Sequence, residues 1–160
     1  RKFTLQLQSH DEPPSADAIL HRYATLLNDD DEFADFTIHV RGEAFRVHRC
    51  VLATQSPVFR AMLKSGMEEA KTGEVKTNDT SPEAMKFFLR FIYSGDVPEL
   101  SVDIAEDVMG LAAKYDVPAL IQHCVHVLRK KIDVENACLL MILGDRHDAA
   151  ELREDAMTFL

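Results

Sequence analysis

The sequence predicts an α+β fold: a short β-sheet with a surrounding cluster of α-helices, followed by a C-terminal helical extension. Three observations carry that expectation. Phe36, Ile38 and Val40 alternate with polar residues, Arg41-Gly42-Glu43 makes a turn, and Phe45 and Val47 alternate on the way back, as a half-buried hairpin does. The apolar period then changes. Val51, Leu52 and Gln55 follow helical spacing, and Ser56-Pro57 opens a second short helix with a capping hydroxyl and a proline at its first position. From Ser81 onward the apolar residues recur at helical spacing, in segments punctuated by Gly95 and Pro118.

Taken in order, Phe3, Leu5 and Leu7 alternate with polar residues and read as a short strand, either the last strand of a preceding domain or an edge that pairs across a dimer. Ser9 to Ser15 is a polar, proline-containing linker. Ser15 then caps a helix whose stripe is Ile19, Leu20, Tyr23, Leu26 and Leu27, ended by the acidic run from Asn28 to Glu32. That stripe covers either this domain's own core or a second copy, and spacing does not distinguish the two. In the second helix after the hairpin, Val58, Phe59, Met62 and Leu63 form the apolar face. Gly66 breaks it; Met67 to Ala70 is expected as an acidic loop and Lys71-Thr72-Gly73 as a turn into a strand, Glu74 to Thr77, with Val75 inward. Asp79 or Ser81 caps the next helix, lined by Met85, Phe88, Leu89 and Ile92 and stopped at Gly95. Helices follow over Val102 to Tyr115, Ala119 to Arg129 and Val134 to Gly144, and a last one begins at Asp148 with Leu152, Ala156 and Phe159 inward. Ala156 to Leu160 still read as helical, so the chain is expected to stop inside an element.

The chain has 160 residues, 46% of them hydrophobic and 28% charged, enough for one domain with a substantial core and outside the range of disordered chains. A formal charge of −9 disfavours nucleic acid and anionic membrane as partners. No apolar run reaches membrane-spanning length, and no signal core follows Arg1-Lys2. Cys50, Cys124 and Cys138 each sit in an apolar helical pattern and read as small buried residues of a reducing compartment.

Little points to chemistry. His123 and His126, at i and i+3 around Cys124, could share a metal but lack a third ligand by spacing. Cys50 beside His48 and Arg49 could be an activated thiol, yet no orienting triad is visible. The run Asp29 to Glu32 lacks the ligand spacing of a calcium loop. There is no phosphate-cradling glycine loop and no nucleophile elbow. The reading is a binding module: no enzyme, no cofactor, no metal.

The stretch Phe33 to Glu69, with FxD, VHRCVLATQSPVFRAML and MEE, resembles the BTB/POZ domain, most closely the speckle-type POZ subgroup of cullin-3 substrate adaptors. The resemblance runs from about Ile19 to the end. It implies a strand and linker over 1–14, possibly closing a preceding domain such as a MATH domain, a BTB/POZ domain over 15–131, and a three-box or BACK-like extension over 132–160. It implies a homodimer through Ile19, Tyr23, Leu26, Leu27 and Phe36. It further implies contact with the cullin-3 N-terminal region through Met67 and Glu69 of the hydrophobic-x-Glu motif, with Met62, Leu63, Tyr93, Tyr115 and Asp116. The family often has phenylalanine where Leu63 stands, a departure that weakens the apolar contact. Asp35 and Arg49 match a charged pocket that serves corepressor binding in the zinc-finger branch. A transcriptional or oligomerisation domain recruiting corepressors through the dimer groove is therefore the alternative, against which MEE and the tail argue. The protein substrate would be held by a domain outside this chain, and the implied compartment is nucleus or cytoplasm.

Overall fold

β1 (Phe36–Val40) and β2 (Glu43–Val47) form the hairpin. Its loop is two residues, Arg41 (φ 47°) and Gly42 (φ 89°), both left-handed, a geometry whose twist matches that of the strands it joins. Gly42 adopts it freely, whereas Arg41 does so against a Cβ clash. β1 pairs antiparallel with β2, Phe36 opposite Val47, and parallel on its other edge with β3 (Glu74–Thr77), Ile38 beside Val75. The order β2-β1-β3 makes β1 the central strand, and its three inward side chains, Phe36, Ile38 and Val40, are buried.

This computed structural model describes residues 16–27, 32–64, 66–95 and 97–160. The expected strand at Phe3 to Leu7, the linker, the Ser15 cap and Asn28 to Asp31 lie outside them.

The helices follow in chain order: α1 (Ala16–Ala24) before the sheet; α2 (Arg49–Gln55), α3 (Pro57–Met62) and α4 (Glu68–Thr72) between β2 and β3; then α5 (Pro82–Ser94), α6 (Val102–Lys114), α7 (Pro118–Arg129), α8 (Ala137–Arg146) and α9 (Ala150–Met157). α5 is the hub and packs on α1, α2 and α6. Met85, Phe88, Leu89 and Ile92 face the core as their spacing predicts, and Phe87 and Tyr93 are buried with them. Ser81 is the cap: its Oγ accepts the Ala84 N–H at 3.3 Å, and Gly95 (φ 69°) closes the helix. Asp79, the other expected cap, instead accepts hydrogen bonds from Thr77 and Lys114, which hold its carboxyl below the usual range.

α7 buries Leu120, Cys124 and Leu128 and carries the C-terminal pair on its flank. There Arg129 is bonded to Glu151 and Asp155 of α9. α8 and α9 meet across Gly144, Leu140 and Leu143 against Leu152 and Ala156. A Cβ on Gly144 would fall 2.6 Å from the Arg153 backbone nitrogen, so only glycine permits this approach.

Several expectations are corrected. Met67 to Gly73 is not a loop and turn: Glu68–Thr72 is helix α4, with acidic residues in its first turn, Lys71 in its last, and Gly73 (φ 73°) as a left-handed stop. α1 ends at Ala24, so Leu26 and Leu27 lie in the turn after it and pack on the core. α7 includes Pro118, since a first-turn position has no intrahelical use for an N–H. α8 begins at Ala137, leaving Val134 exposed, and α9 ends at Met157, leaving Phe159 nearly half exposed. Of the three cysteines only Cys124 is buried, its thiol pushed up to about 12 by burial; Cys50 and Cys138 are exposed because they sit on the outer sides of α2 and α8.

Candidate functional site

The segment joining α3 to β3 presents the residues of the hydrophobic-x-Glu motif. Met67 stands in extended conformation (φ −78°, ψ 149°) just ahead of α4, with its side chain 47% exposed. Glu68 and Glu69 follow in the first helical turn, where carboxylates complement the helix dipole; Glu69 is half-buried. A five-residue helix has little stability of its own. Tertiary bonds hold this one at its middle and at its C-terminal end. The Thr37 N–H of β1 donates to Gly73 O at 3.0 Å, and an Arg49 guanidinium nitrogen donates to Ala70 O at 3.1 Å.

Arg49 is the centre of that anchorage. Its backbone N–H donates to Asp35 Oδ1 at 2.8 Å, its Nε donates to Asp35 O at 3.1 Å, and its guanidinium lies 5.5 Å from the Phe36 ring centroid. His48, at the N-cap of α2, makes no side-chain cap bond, so Asp35 supplies the carboxylate for that helix start from a distant position. Asp35 and Arg49 are thus brought together as the sequence suggests, and they serve as a strap joining β1, α2 and α4.

A second support lies below α3. Ser56 is fully buried; its Oγ accepts the Phe59 N–H at 3.1 Å and donates to Tyr115 O. The Tyr115 ring stacks on Phe59 with centroids 4.2 Å apart and planes 7° from parallel. Burial, aided by Asp79, pushes the Tyr115 phenol up to about 12, so it stays neutral. Asp116 follows in left-handed conformation (φ 52°), exposed at the corner between α6 and α7. The corner that carries Asp116 is therefore hydrogen-bonded to the start of the helix that carries Met62. Met62 and Leu63 are half-buried at the end of that helix and pack partly on the core.

Tyr93, Tyr115 and Phe36 are 4%, 1% and 2% exposed, which corrects their expected place on contact surfaces. Side chains so enclosed have no area to offer a partner; they act from beneath. Tyr93 ties α5 to the start of α2, its hydroxyl accepting the His48 N–H at 2.8 Å and bonding His48 Nδ1 at 2.9 Å. The expected self-association residues divide. Ile19 and Tyr23 are nearly half exposed on α1 together with Leu20, whereas Leu26 and Leu27 are half-buried against the protomer's own core.

The histidine pair has other surroundings. His123 lies against the Phe87 and Phe91 rings, and His126 bonds Lys130. Burial, with His126 nearby, lowers the His123 pKa. Sequence reasoning found Ser56 as a cap but missed its second bond, to Tyr115 O, and the His48–Tyr93 link, both set by long-range contacts. It also missed α4, although acidic first turn, basic last turn and following glycine were all legible in EEAKTG.

Comparison with known proteins agrees with this architecture. A family model described as the BTB/POZ domain matches residues 25–132. The chain is 38% identical over 129 residues to mouse (Mus musculus) TD and POZ domain-containing protein 4, covering 80% of this chain but 35% of that protein, so it spans about a third of that relative. Among solved structures, the BTB domain of zebrafish PATZ1 superposes with a TM-score of 0.59 at 22% identity, covering 81% of this chain and 99% of that one. The BTB domain of human gigaxonin does so with a TM-score of 0.57 at 24% identity, covering 76% and 97%. At such identities the two structures speak to fold alone. Small sheet, helical surround and family match lead to one conclusion: this chain belongs to the BTB/POZ family, whose fold is a protein–protein interaction module and not a known enzyme family.

Proposed function

We propose that this domain is a homodimeric substrate adaptor that binds the N-terminal region of cullin-3 in a ubiquitin ligase. The observation that carries the reading is Met67: a large apolar side chain, 47% exposed, held at the start of a helix pinned by Arg49 and Thr37, with Glu69 two residues on. An exposed methionine is an adaptable anchor, and a nearby carboxylate sets register against a basic partner. Met62, Leu63 and Asp116 extend that surface, while Tyr93 and Tyr115 support it from the core. The helical pair α8–α9 enlarges it. Arg49 is already engaged with Asp35 and Ala70, which favours this reading over a corepressor-binding charged pocket.

Self-association through α1 is part of the proposal. Ile19, Leu20 and Tyr23 form an exposed apolar stripe of the kind a second copy covers. The domain makes and breaks no bonds: it raises the effective concentration of a substrate, held by another part of the protein, near the ubiquitin-loaded enzyme. The compartment is nucleus or cytoplasm.

The test is a calorimetric titration of cullin-3 N-terminal region into wild type, Met67→Asp and Glu69→Ala. Wild type is expected to bind at micromolar concentration or tighter, and both variants more weakly. Absence of wild-type binding rejects the adaptor role; unchanged binding by both variants rejects the surface. Light scattering on wild type and Ile19→Asp tests the dimer, and a wild type of monomer mass at tens of micromolar removes it.

A further inference from the structure

The chain has six methionines, and the fold sorts them by exposure. Met85 of α5 and Met109 of α6 are fully buried. Met62 and Met141 are half-buried against the core. Met67, at 47%, and Met157, at 56%, stand out from the surface. A thioether packs as an apolar group, yet its sulfur is nucleophilic and takes oxygen from peroxides where solvent reaches it. Met157 is the last residue of α9. Met67 leads into α4 with its backbone bonded on both sides: its N–H donates to Lys64 O at 3.4 Å, and its carbonyl accepts the Lys71 N–H at 3.3 Å. The reactive sulfur is thus presented from a held backbone. A leucine or phenylalanine there would offer apolar area with no oxidisable atom.

We infer that Met67 is a redox-responsive modification site whose oxidation to the sulfoxide releases the cullin contact; the inference rests on the adaptor reading proposed above. The oxidant is a peroxide. A sulfur lone pair attacks one peroxide oxygen, the O–O bond breaks and an S–O bond forms. The departing hydroxide takes the proton of the transferred oxygen and leaves as water. The thioether is oxidised by two electrons and the peroxide is reduced by two. The product is polar, and its oxygen calls for a hydrogen-bond donor. In the free domain water supplies one, since the side chain is exposed, and the fold is undisturbed. Against an apolar partner surface the water is gone. Burying the unpaired oxygen there weakens binding roughly tenfold or more. The same atom that makes Met67 an adaptable anchor therefore makes the anchor reversible, because sulfoxide reductases return the thioether. Met157 undergoes the same chemistry in α9 and is the comparator within the molecule.

The experiment treats the whole chain with hydrogen peroxide for increasing times, then with dithiothreitol, and titrates each sample calorimetrically with the cullin-3 N-terminal region. Dithiothreitol returns sulfenic acids and disulfides of the exposed Cys50 and Cys138 to thiols and leaves sulfoxides in place. Peptide mass spectrometry on the same samples reads each methionine. Met67 and Met157 should take up oxygen first, and Met85 and Met109 last. Affinity should fall roughly tenfold in step with Met67 oxidation, while the thermal midpoint stays where it was. Methionine sulfoxide reductases A and B together should restore both the thioether and the affinity. Met67→Leu should give the same affinity before and after peroxide, whereas Met157→Leu should lose affinity as wild type does. The reductase arm needs no variant, so it decides the case in which Met67→Leu binds too weakly to compare. Unchanged affinity with Met67 oxidised overturns the inference and leaves the adaptor reading standing. So does a loss that Met157→Leu abolishes, a loss that persists once Met67 is reduced, or a midpoint that falls with the affinity. Unoxidised wild type that does not bind rejects the adaptor reading itself, and the switch with it.

Discussion

Ser56 does at the residue scale what no other hydroxyl in the chain's described residues does: fully buried, it caps α3 and holds the Tyr115 carbonyl of a distant helix end. Ser56→Ala is expected to cost about 1 kcal/mol for the cap. Leaving a buried carbonyl unpaired adds a further penalty of about 1–3 kcal/mol. Urea denaturation reads the sum, and the same variant should weaken any contact made through Asp116, since the corner loses its tether. Thr80 is the opposite case. It is 1% exposed, and its Oγ1 has no hydrogen-bond partner. Thr80→Val keeps the shape and removes the unpaired hydroxyl, so it should raise stability by about 1 kcal/mol. A fall in the denaturation midpoint would mean that an ordered water already satisfies the group. Sequence reading identifies Ser56 as a cap from Ser-Pro; its second bond, 59 positions along the chain, has no local signature.

At the scale of elements, two mid-helix glycines make opposed predictions. Alanine is favoured over glycine in a helix interior by about 1 kcal/mol. At Gly110 of α6 a Cβ meets nothing within 4 Å, so Gly110→Ala should stabilise by about that amount. At Gly144 the added Cβ would lie 2.6 Å from the Arg153 backbone nitrogen and 3.0 Å from its Cα. Backbone cannot step aside as a side-chain end can, so Gly144→Ala must push α9 away. Overpacking of about 1 to 3 kcal/mol exceeds the propensity gain. Thermal denaturation of both variants beside wild type checks the two signs, and increased amide exchange in α9 should accompany the second change. Both glycines look alike in sequence, each within an apolar helical pattern. Their difference is whether another backbone crosses there. α4 teaches a related lesson, since its cap signals are local while its persistence depends on bonds from Arg49 and Thr37.

At the scale of the whole molecule, His123 and His147 carry a pH dependence among the described residues. Burial depresses the pKa of His123, with His126 nearby adding to the effect, and burial depresses that of His147, with Arg146 adding and Asp148 and Glu106 opposing. Both therefore hold fewer protons when folded than when unfolded, where the ordinary value is 6.5. Stability rises with pH where the unfolded chain binds more protons. Their contribution is thus intact above 6.5 and is lost as pH falls from there through the lower folded values. The urea midpoint should drop between about pH 7.5 and about pH 5.5, before the carboxylates titrate. His123→Gln with His147→Gln should flatten that slope, and an unchanged slope would show that neither group drives it.

The sequence by itself determined the hairpin, the helix series, the Ser-Pro caps and the family resemblance, because period, turn chemistry and capping act over a few neighbouring residues. It also brought Asp35 and Arg49 forward as a pair. Only the tertiary structure decided that β3 joins β1 in parallel and that Tyr93 and Tyr115 are core supports while Met67 stands out. A helical period names the face that is buried, but not what buries it or how deeply. An aromatic on that face has the same spacing whether it meets this chain's core or another protein. Depth, and with it the division between scaffold and contact surface, is a property of packing among elements far apart in sequence.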